Sequence, residues 1–484
     1  MTRTASQTAL LETLRSIVGA THVLTHDDPA TDLAAWEQDW RGARRGTALA
    51  VLRPASTDEV ARVVAACAAC GTTIVPQGGN TGLVDGSTPD DSGTQIVLSL
   101  ARMNAVRKID PANMTVTVEA GCVLQNLQAA CEQAGFLFPL SLAAEGSCTI
   151  GGNLGTNAGG TQVVRYGNTR ELCLGLEVVT AQGEVWEGLS GLRKDNTGYD
   201  LRHLFIGSEG TLGVITAATM KLYPLPAARL TAWAAVGSLD DAVRLLGLAH
   251  RHLGAGLTGF EVMEQFALVL TASHFPELRI PFHEDALWCV LLENSDHESQ
   301  AHAREQLERL LEAALAEGCV GDAVVAESIA QAEALWRVRE SIPLAQAQEG
   351  LNIKHDVSIP VSLIPEFCDV TGKLLAAAIE GVRLVVYGHL GDGNLHYNAQ
   401  APAGGDAAAF LREQEARVND IVYASVARFG GSISAEHGVG SMKVAKIEQY
   451  KPAAALAMMR GIKQALDPQG IMNPGRVLRR ATQA

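Results

Sequence analysis

Gly146-Ser147-Cys148-Thr149-Ile150-Gly151-Gly152-Asn153-Leu154-Gly155-Thr156-Asn157-Ala158-Gly159-Gly160 carries six glycines in fifteen residues, and its reading decides the fold. Upstream, Pro76-Gln77-Gly78-Gly79-Asn80-Thr81-Gly82 leaves a strand-like run at residues 72–75. Downstream, Ile206-Gly207-Ser208-Glu209-Gly210-Thr211-Leu212-Gly213 forms a third cluster. Glycine lets the backbone approach a ligand closely, and successive N–H groups form a concavity for an anion. On spacing alone two readings stand: a set of tight turns, or loops gathered around a phosphate-like group. None of the clusters ends in Gly-Lys-Ser or Gly-Lys-Thr, so a P-loop nucleotide hydrolase is unsupported. The literal Gly-x-Gly-x-x-Gly at residues 254–259 follows a helix rather than a strand, and it fails as a dinucleotide fingerprint.

Around these loops the pattern alternates strands and helices. Residues 7–18 read as an amphipathic leading helix. Ser56-Thr57-Asp58-Glu59 has capping-box spacing and opens a helix that Gly71 closes. Residues 114–119 alternate as a strand, residues 123–134 follow as a helix, and residues 174–186 read as a hairpin around Ala181-Gln182-Gly183. Pro224 and Pro226 mark a boundary. Beyond it, strand 230–236, helix 240–252 and strand 260–263 precede strand 287–293, helix 298–317 and strand 322–327. That order suits an antiparallel sheet of split βαβ units with helices on one face. Residues 455–466 are helical again. The expected segments are a helical lead-in at 1–45, a glycine-loop domain at 46–226, a second domain at 227–440 and a returning helical segment at 441–484.

Composition narrows the function. The chain has 484 residues, 47% hydrophobic and 19% charged, which excludes disorder as its dominant state. Lys and Arg number 38 against 53 Asp and Glu, and a net charge of −15 argues against a phosphate-tracking nucleic-acid protein. No apolar run reaches the ~18 residues of a membrane span. Residues 1–20 contain Glu12 and Arg15 and lack the apolar stretch of a secretory signal. Nine cysteines, scattered without a disulfide framework, fit a reducing, cytoplasmic compartment. Cys67 and Cys70 fall within a helix of small apolar residues and read as packing.

The second half carries Tyr387-Gly388-His389-Leu390-Gly391-Asp392-Gly393-Asn394-Leu395-His396-Tyr397-Asn398. Gly391-Asp392-Gly393 is a turn signal, so a hairpin is predicted in which His389 and His396 face each other across the ladder. Directly opposite Cβ atoms lie ~4.5–5.5 Å apart, a separation at which two imidazoles can share one ion. A third ligand is needed, and Glu436-His437, in Ser432-Ile433-Ser434-Ala435-Glu436-His437-Gly438, is the candidate supplier. A polar hairpin whose histidines only hydrogen-bond remains the other reading.

Residues 76–82, Thr149-Ile150-Gly151-Gly152 with Asn157-Ala158-Gly159-Gly160, and 207–216 resemble the FAD-linked oxidases of the vanillyl-alcohol oxidase and p-cresol methylhydroxylase superfamily, over roughly residues 45–480. Residues 388–398 and 435–438 resemble its D-2-hydroxy-acid dehydrogenase branch. The resemblance implies an α+β fold: a two-part FAD-binding domain with a substrate, or cap, domain. It implies FAD held by Pro76, Gln77, Gly78, Gly79, Asn80, Thr81, Gly82 and Leu83 in the first loop. The second loop contributes Gly146, Ser147, Thr149, Ile150, Gly151, Gly152, Asn157, Ala158, Gly159 and Gly160. Glu209, Gly210, Gly213, Val214 and Ile215 belong to the third, and Asn473 to the C-terminal segment. The first loop has no His or Cys, so the FAD is expected to be noncovalent, with Cys148 as the one nearby thiol.

The same resemblance implies a divalent ion, zinc foremost, on His389, His396 and Glu436. It implies substrate contacts from Arg339, Lys354, fifteen positions later, and Asn398, with His437 as general base at the substrate. The implied reaction is oxidation of a D-2-hydroxy acid by hydride transfer to flavin N5, with D-2-hydroxyglutarate giving 2-oxoglutarate as the first candidate. Where hydroxyglutarate enzymes commonly carry Thr four residues after the Arg, this chain has Pro343, which keeps D-lactate and glycolate open. An electron-transfer flavoprotein or quinone-linked carrier is the implied acceptor, and a homodimer the implied assembly. A metal-dependent hydrolase without flavin is the alternative of another class.

Overall fold

The computed structural model describes residues 3–28 and 31–480. Residues 1, 2, 29, 30 and 481–484, which include the far ends of the predicted lead-in and C-terminal segments, lie outside the described residues. The chain divides into two units: Met1–Ala158, Asn168–Pro224 and Glu436–Ala484 form one, Gly159–Gly167 and Leu225–Ala435 the other.

In the first unit, helix α1 (Ala5–Val18) buries Leu10, Leu11, Leu14 and Val18 along one stripe. A four-stranded sheet holds β1 (Val23–Leu24), β2 (Ala48–Leu52), β3 (Ile74–Gln77) and β4 (Gln95–Ser99) in the order β1-β2-β4-β3. The last three strands run parallel. Every residue of β2 and β4 is buried, as expected of a strand covered on both faces. Each fully buried Val or Leu there contributes about 1.5–3 kcal/mol of apolar burial. Helix α2 (Thr57–Cys70) connects β2 to β3 and opens as the capping spacing predicts. The Ser56 hydroxyl accepts from the Glu59 N–H at 3.2 Å, and the Glu59 carboxylate takes the Ala55 N–H at 2.7 Å. The loop 76–82 thus leaves the carboxyl end of a parallel strand, the usual ligand side of such sheets.

A second sheet of this unit is wholly antiparallel. It contains β5 (Val106–Asp110), β6 (Thr115–Glu119), β7 (Cys173–Thr180), β8 (Val185–Gly188) and β9 (Gly213–Lys221) in the order β5-β6-β9-β7-β8. Helices α3 (Leu124–Gln133) and α4 (Ile150–Thr156) lie between β6 and β7 in sequence. The C-terminal segment returns to this unit. Ile74 donates to the Ile471 carbonyl and accepts from Asn473 N–H, each at 2.8 Å. Asn473 is thereby held beside the strand that feeds the first loop.

The second unit is built on one antiparallel sheet. Its strands are β10 (Ala228–Val236), β11 (Leu257–Glu264), β12 (Trp288–Asp296), β13 (Asp322–Val325), β14 (Asn352–Ile353), β15 (Asp356–Ser358), β16 (Arg383–His389) and β17 (Asn394–Gln400). The order is β13-β10-β12-β11-β16-β17-β14, with β15 also paired to β17. The helices of the two split βαβ units, α5 (Leu239–Leu253) and α7 (Gln300–Ala316), pack together on one face, as predicted. The opposite face is covered too. Trp233, Met263, Leu291, Val385 and Tyr387 point there and pack with Leu268 of α6 (Gln265–His274) and with Val338 and Ile342 of α8 (Ile329–Glu349). Cover on both sides leaves β11 and β12 buried along nearly their whole length.

Candidate active site

In the first unit, the N–H groups of Gly78, Gly79, Asn80, Thr81, Gly82 and Leu83 donate to no acceptor among the described residues. The loop is held open by side chains instead. Gln77 Nε2 donates to the Trp36 and Ser87 carbonyls at 2.9 and 2.8 Å, and Asn80 Nδ2 to those of Ala35 and Gln38 at 3.2 and 2.9 Å. Six successive N–H groups with no acceptor among the described residues leave donors available to an anion. The second loop lies directly against it: a Cβ on Gly79 would stand 2.0 Å from the Ser147 carbonyl oxygen. The third meets the first at Gly210, where a Cβ would lie 3.0 Å from the Pro76 ring. Thr149 Oγ1 and Asn473 Oδ1 are buried without a hydrogen-bond partner among the described residues. Open donors on the first loop, with orphaned oxygens on the second loop and the returning C-terminal segment, fit a dinucleotide such as FAD.

Several residues of the predicted cofactor set have other duties. Ile150 and Gly151 give their N–H groups to the Cys122 and Ala120 carbonyls at 3.0 and 2.7 Å. Val214 and Ile215 are buried strand residues of β9, paired with Val179 and Val178 of β7. The Asn157 side chain accepts from Arg170 N–H at 2.9 Å, and Gly159 and Gly160 belong to the second unit. Glu209 is the clearest case. Its carboxylate accepts the Val439 and Gly440 N–H groups, both at 2.7 Å, and so clamps the loop that follows His437. Burial pushes this carboxyl above its ordinary pKa. Gly440 is required there: its φ is +51°, and a Cβ would lie 1.9 Å from the Val84 carbonyl oxygen. Cys148 is buried, and burial pushes its thiol up to about 11, far from a reactive thiolate.

In the second unit the histidine hairpin forms, with one correction of register. Tyr387, not His389, stands opposite His396, so the two histidines are diagonal neighbours on one face with ring centroids 5.8 Å apart. Residues 390–392 make a tight helical turn, which moves the pairing by two positions. Alternation then puts Tyr387, His389, His396 and Asn398 on the face covered by α6 and α8.

That face also holds a residue the sequence reading did not identify. Glu261 of β11 pairs in register with His389 and is fully buried. One carboxylate oxygen lies 2.5 Å from His389 Nδ1, and the other accepts from Arg339 Nε at 2.8 Å. Burial opposes its charge, but His389 and Arg339 together hold its carboxyl down at about 2. The signal was present in sequence: a Glu at an inward position of the apolar strand Phe260-Glu261-Val262-Met263 must have charged partners. Arg339 is itself buried in α8, its guanidinium carbon 4.7 Å from the centre of the Tyr387 ring.

The other predicted substrate residues are placed as follows. Lys354 is exposed between β14 and β15. Asn398 is buried with both ends engaged: Oδ1 accepts from His355 N–H and Nδ2 donates to Gln346 Oε1, each at 3.0 Å. Pro343 lies inside α8, one turn after Arg339, and denies the Arg339 carbonyl its helical partner. Residues 432–435 run beside β15: Ser432 and Ser358 exchange backbone bonds, and Ala435 N–H donates to the Asp356 carbonyl at 3.3 Å. Asp356 in turn pairs with His396. Glu436 and His437 follow immediately, both half-buried, at a run of bends rather than in a strand, with Gly438 at φ +78°. The chain bends at these two neighbours rather than continuing as an extended strand.

Two family models match the chain. Residues 48–188 match the FAD binding domain, and residues 225–477 match the C-terminal domain of FAD linked oxidases. The chain is 39% identical over 440 residues to the mitochondrial D-2-hydroxyglutarate dehydrogenase of Arabidopsis thaliana, covering 91% of this chain and 77% of that protein. It is 38% identical over 452 residues to the D-2-hydroxyglutarate dehydrogenase of Xanthomonas citri pv. viticola, covering 93% of each. The fold matches a solved structure of p-cresol methylhydroxylase with substrate bound, with a TM-score of 0.77 at 16% identity over 99% of this chain and 98% of that one. These matches set aside the flavin-free hydrolase. Among the described residues no helix is long and apolar enough to cross a membrane.

Proposed function

Because the chain belongs to the FAD-linked oxidase family, we propose that it oxidises D-2-hydroxyglutarate to 2-oxoglutarate with noncovalent FAD and a divalent ion, zinc foremost. The likeness to hydroxyglutarate dehydrogenases, which runs through both units rather than one loop, carries this reading. FAD supplies a two-electron acceptor for the C2 hydride, and the ion lowers the pKa of the 2-hydroxyl. His389, His396 and Glu436 hold the ion, since the donor set of two imidazoles and a carboxylate with open positions suits catalytic zinc. Arg339 pairs with the substrate carboxylate through its terminal nitrogens, and Lys354 adds a point charge at the rim. His437 takes the hydroxyl proton, a role that general-base catalysis rewards with ~10²–10⁴ in rate. Noncovalent binding is supported by the buried, protonated Cys148 and by a first loop without His or Cys.

Pro343 favours one second reading within the same chemistry. It offers no hydroxyl to a distal carboxylate, which suits a smaller acid such as D-lactate. The acceptor is an electron-transfer flavoprotein or quinone-linked carrier, in keeping with relatives named dehydrogenases. A reducing compartment, the cytoplasm, is supported by nine free cysteines. A homodimer is carried from the family resemblance, and sedimentation tests it.

The deciding experiment is an absorbance spectrum of the purified protein, followed by anaerobic addition of D-2-hydroxyglutarate. A flavin band that bleaches supports cofactor, reaction and substrate together. Bleaching only with D-lactate moves the substrate and keeps the chemistry. A protein that stays colourless after FAD is supplied refutes the reading. Chelation followed by zinc addition should abolish and restore the bleaching rate.

A further inference from the structure

We infer that Glu261 is a positioning residue whose single buried carboxylate sets both a metal-ligand histidine and the substrate-facing arginine. The inference rests on the proposed roles of His389 and Arg339. Its geometry lies wholly within one antiparallel sheet and the helix over it. Register places Glu261 opposite His389, and its two oxygens divide between His389 Nδ1 at 2.5 Å and Arg339 Nε at 2.8 Å. The side chain has no exposed surface, so water does not compete for either bond.

Each bond fixes one choice that its partner otherwise makes freely. An imidazole whose Nδ1 proton is bonded to a carboxylate presents its Nε2 lone pair outward, the tautomer a metal needs. A guanidinium bonded through Nε keeps its two terminal nitrogens for a planar, bidentate carboxylate pair. Tyr387, under the guanidinium, and His396, 4.9 Å from the Tyr387 ring, complete a continuous stack from the arginine to the second histidine. A purely structural ion pair would need only the Arg339 bond. The second bond, to His389, is what a positioning role adds.

The test uses FAD-loaded protein stripped of metal and titrated with Co2+, read by the cobalt bands beyond the flavin absorption and by competition with a coloured chelator. Glu261→Gln presents an amide N–H to one partner. It should raise the cobalt Kd ~10–100-fold, alter the cobalt band shape and raise KM for D-2-hydroxyglutarate, with FAD content unchanged. Glu261→Asp keeps the charge but falls a methylene short of spanning both partners. It should weaken cobalt binding as well, and it decides the question if the Gln variant fails to fold. Unchanged cobalt affinity and band shape in folded variants would overturn the inference and leave a structural ion pair. Wild-type protein that binds no cobalt would instead overturn the metal reading beneath it.

Discussion

Substituting Gly440 by Ala tests whether the loop after His437 is held at a fixed distance for catalysis. A Cβ at this position would lie 1.9 Å from the Val84 carbonyl oxygen, against the 3.0 Å below which real Cβ contacts are essentially never found. The loop or the segment around Val84 must retreat by at least 1.1 Å (3.0 − 1.9). The loop cannot yield without loss, because Gly440 N–H is bonded to Glu209 and its carbonyl accepts from Val477 N–H at 3.2 Å. At φ +51° the methyl also costs about 1–2 kcal/mol of backbone strain. A displacement of ~1 Å at a catalytic group costs ~10²-fold in rate, so anaerobic stopped-flow should show flavin reduction slowed about that much, with FAD still bound. Gly470→Ala is the control. Gly470 has φ +65° with nothing within 4 Å of its Cβ position, so it shares the strain but not the collision. It should lower the melting temperature and leave flavin reduction intact. Gly440→Ala protein that melts early yet reduces its flavin at the wild-type rate would refute the reasoning.

Thr149→Val removes a buried hydroxyl that has no partner among the described residues. It should stabilise the FAD-free protein and weaken FAD about tenfold, the ~1–1.5 kcal/mol of one hydrogen bond; equal FAD affinity by equilibrium titration would separate Thr149 from the cofactor. Pro343→Thr restores an N–H to the Arg339 carbonyl and offers a hydroxyl. It should lower KM for D-2-hydroxyglutarate by about tenfold for one charge-assisted bond and leave D-lactate nearly unchanged. Steady-state kinetics with both acids decides this. Glu264 is half-buried at the end of β11 with one carboxylate oxygen fully buried, and the loss of solvation there raises its carboxyl to about 7. The folded chain therefore keeps a proton that the unfolded chain has already lost. Its contribution is fully present below about 4.5 and is lost as pH rises through about 7, a decline of about 3 kcal/mol. Glu264→Gln should flatten the fall in melting temperature over that window; a slope equal to wild type would remove Glu264 as its cause.

The parts of the fold legible in sequence were those set by local chemistry. Ser56 and Glu59 announce a helix start wherever they occur, and the alternation of residues 115–119 needs only its own strand. The glycine loops and the hairpin were readable for the same reason, since turn residues act on their immediate neighbours. What stayed hidden depends on register between segments far apart. The spacing of His389 and His396 predicts a hairpin but not the offset, because the turn is centred one residue earlier than the centre that would set His389 against His396, and each residue of such a shift moves the pairing by two. Glu209 sits in a glycine loop and so reads as a cofactor residue, yet its carboxylate is spent on N–H groups 230 and 231 residues later. Glu261 lies 128 residues before His389 and 78 before Arg339, so no local spacing joins them. The one sequence sign they leave is a cost: a carboxylate at an inward position of an apolar strand and an arginine on a covered helix face are each untenable alone. Two such misplacements in one domain argue for each other, because a buried charge persists only where an opposite one meets it. Read that way, unexplained inward charges mark where a fold has committed charged groups to one another, and here that place is the face that carries the histidines.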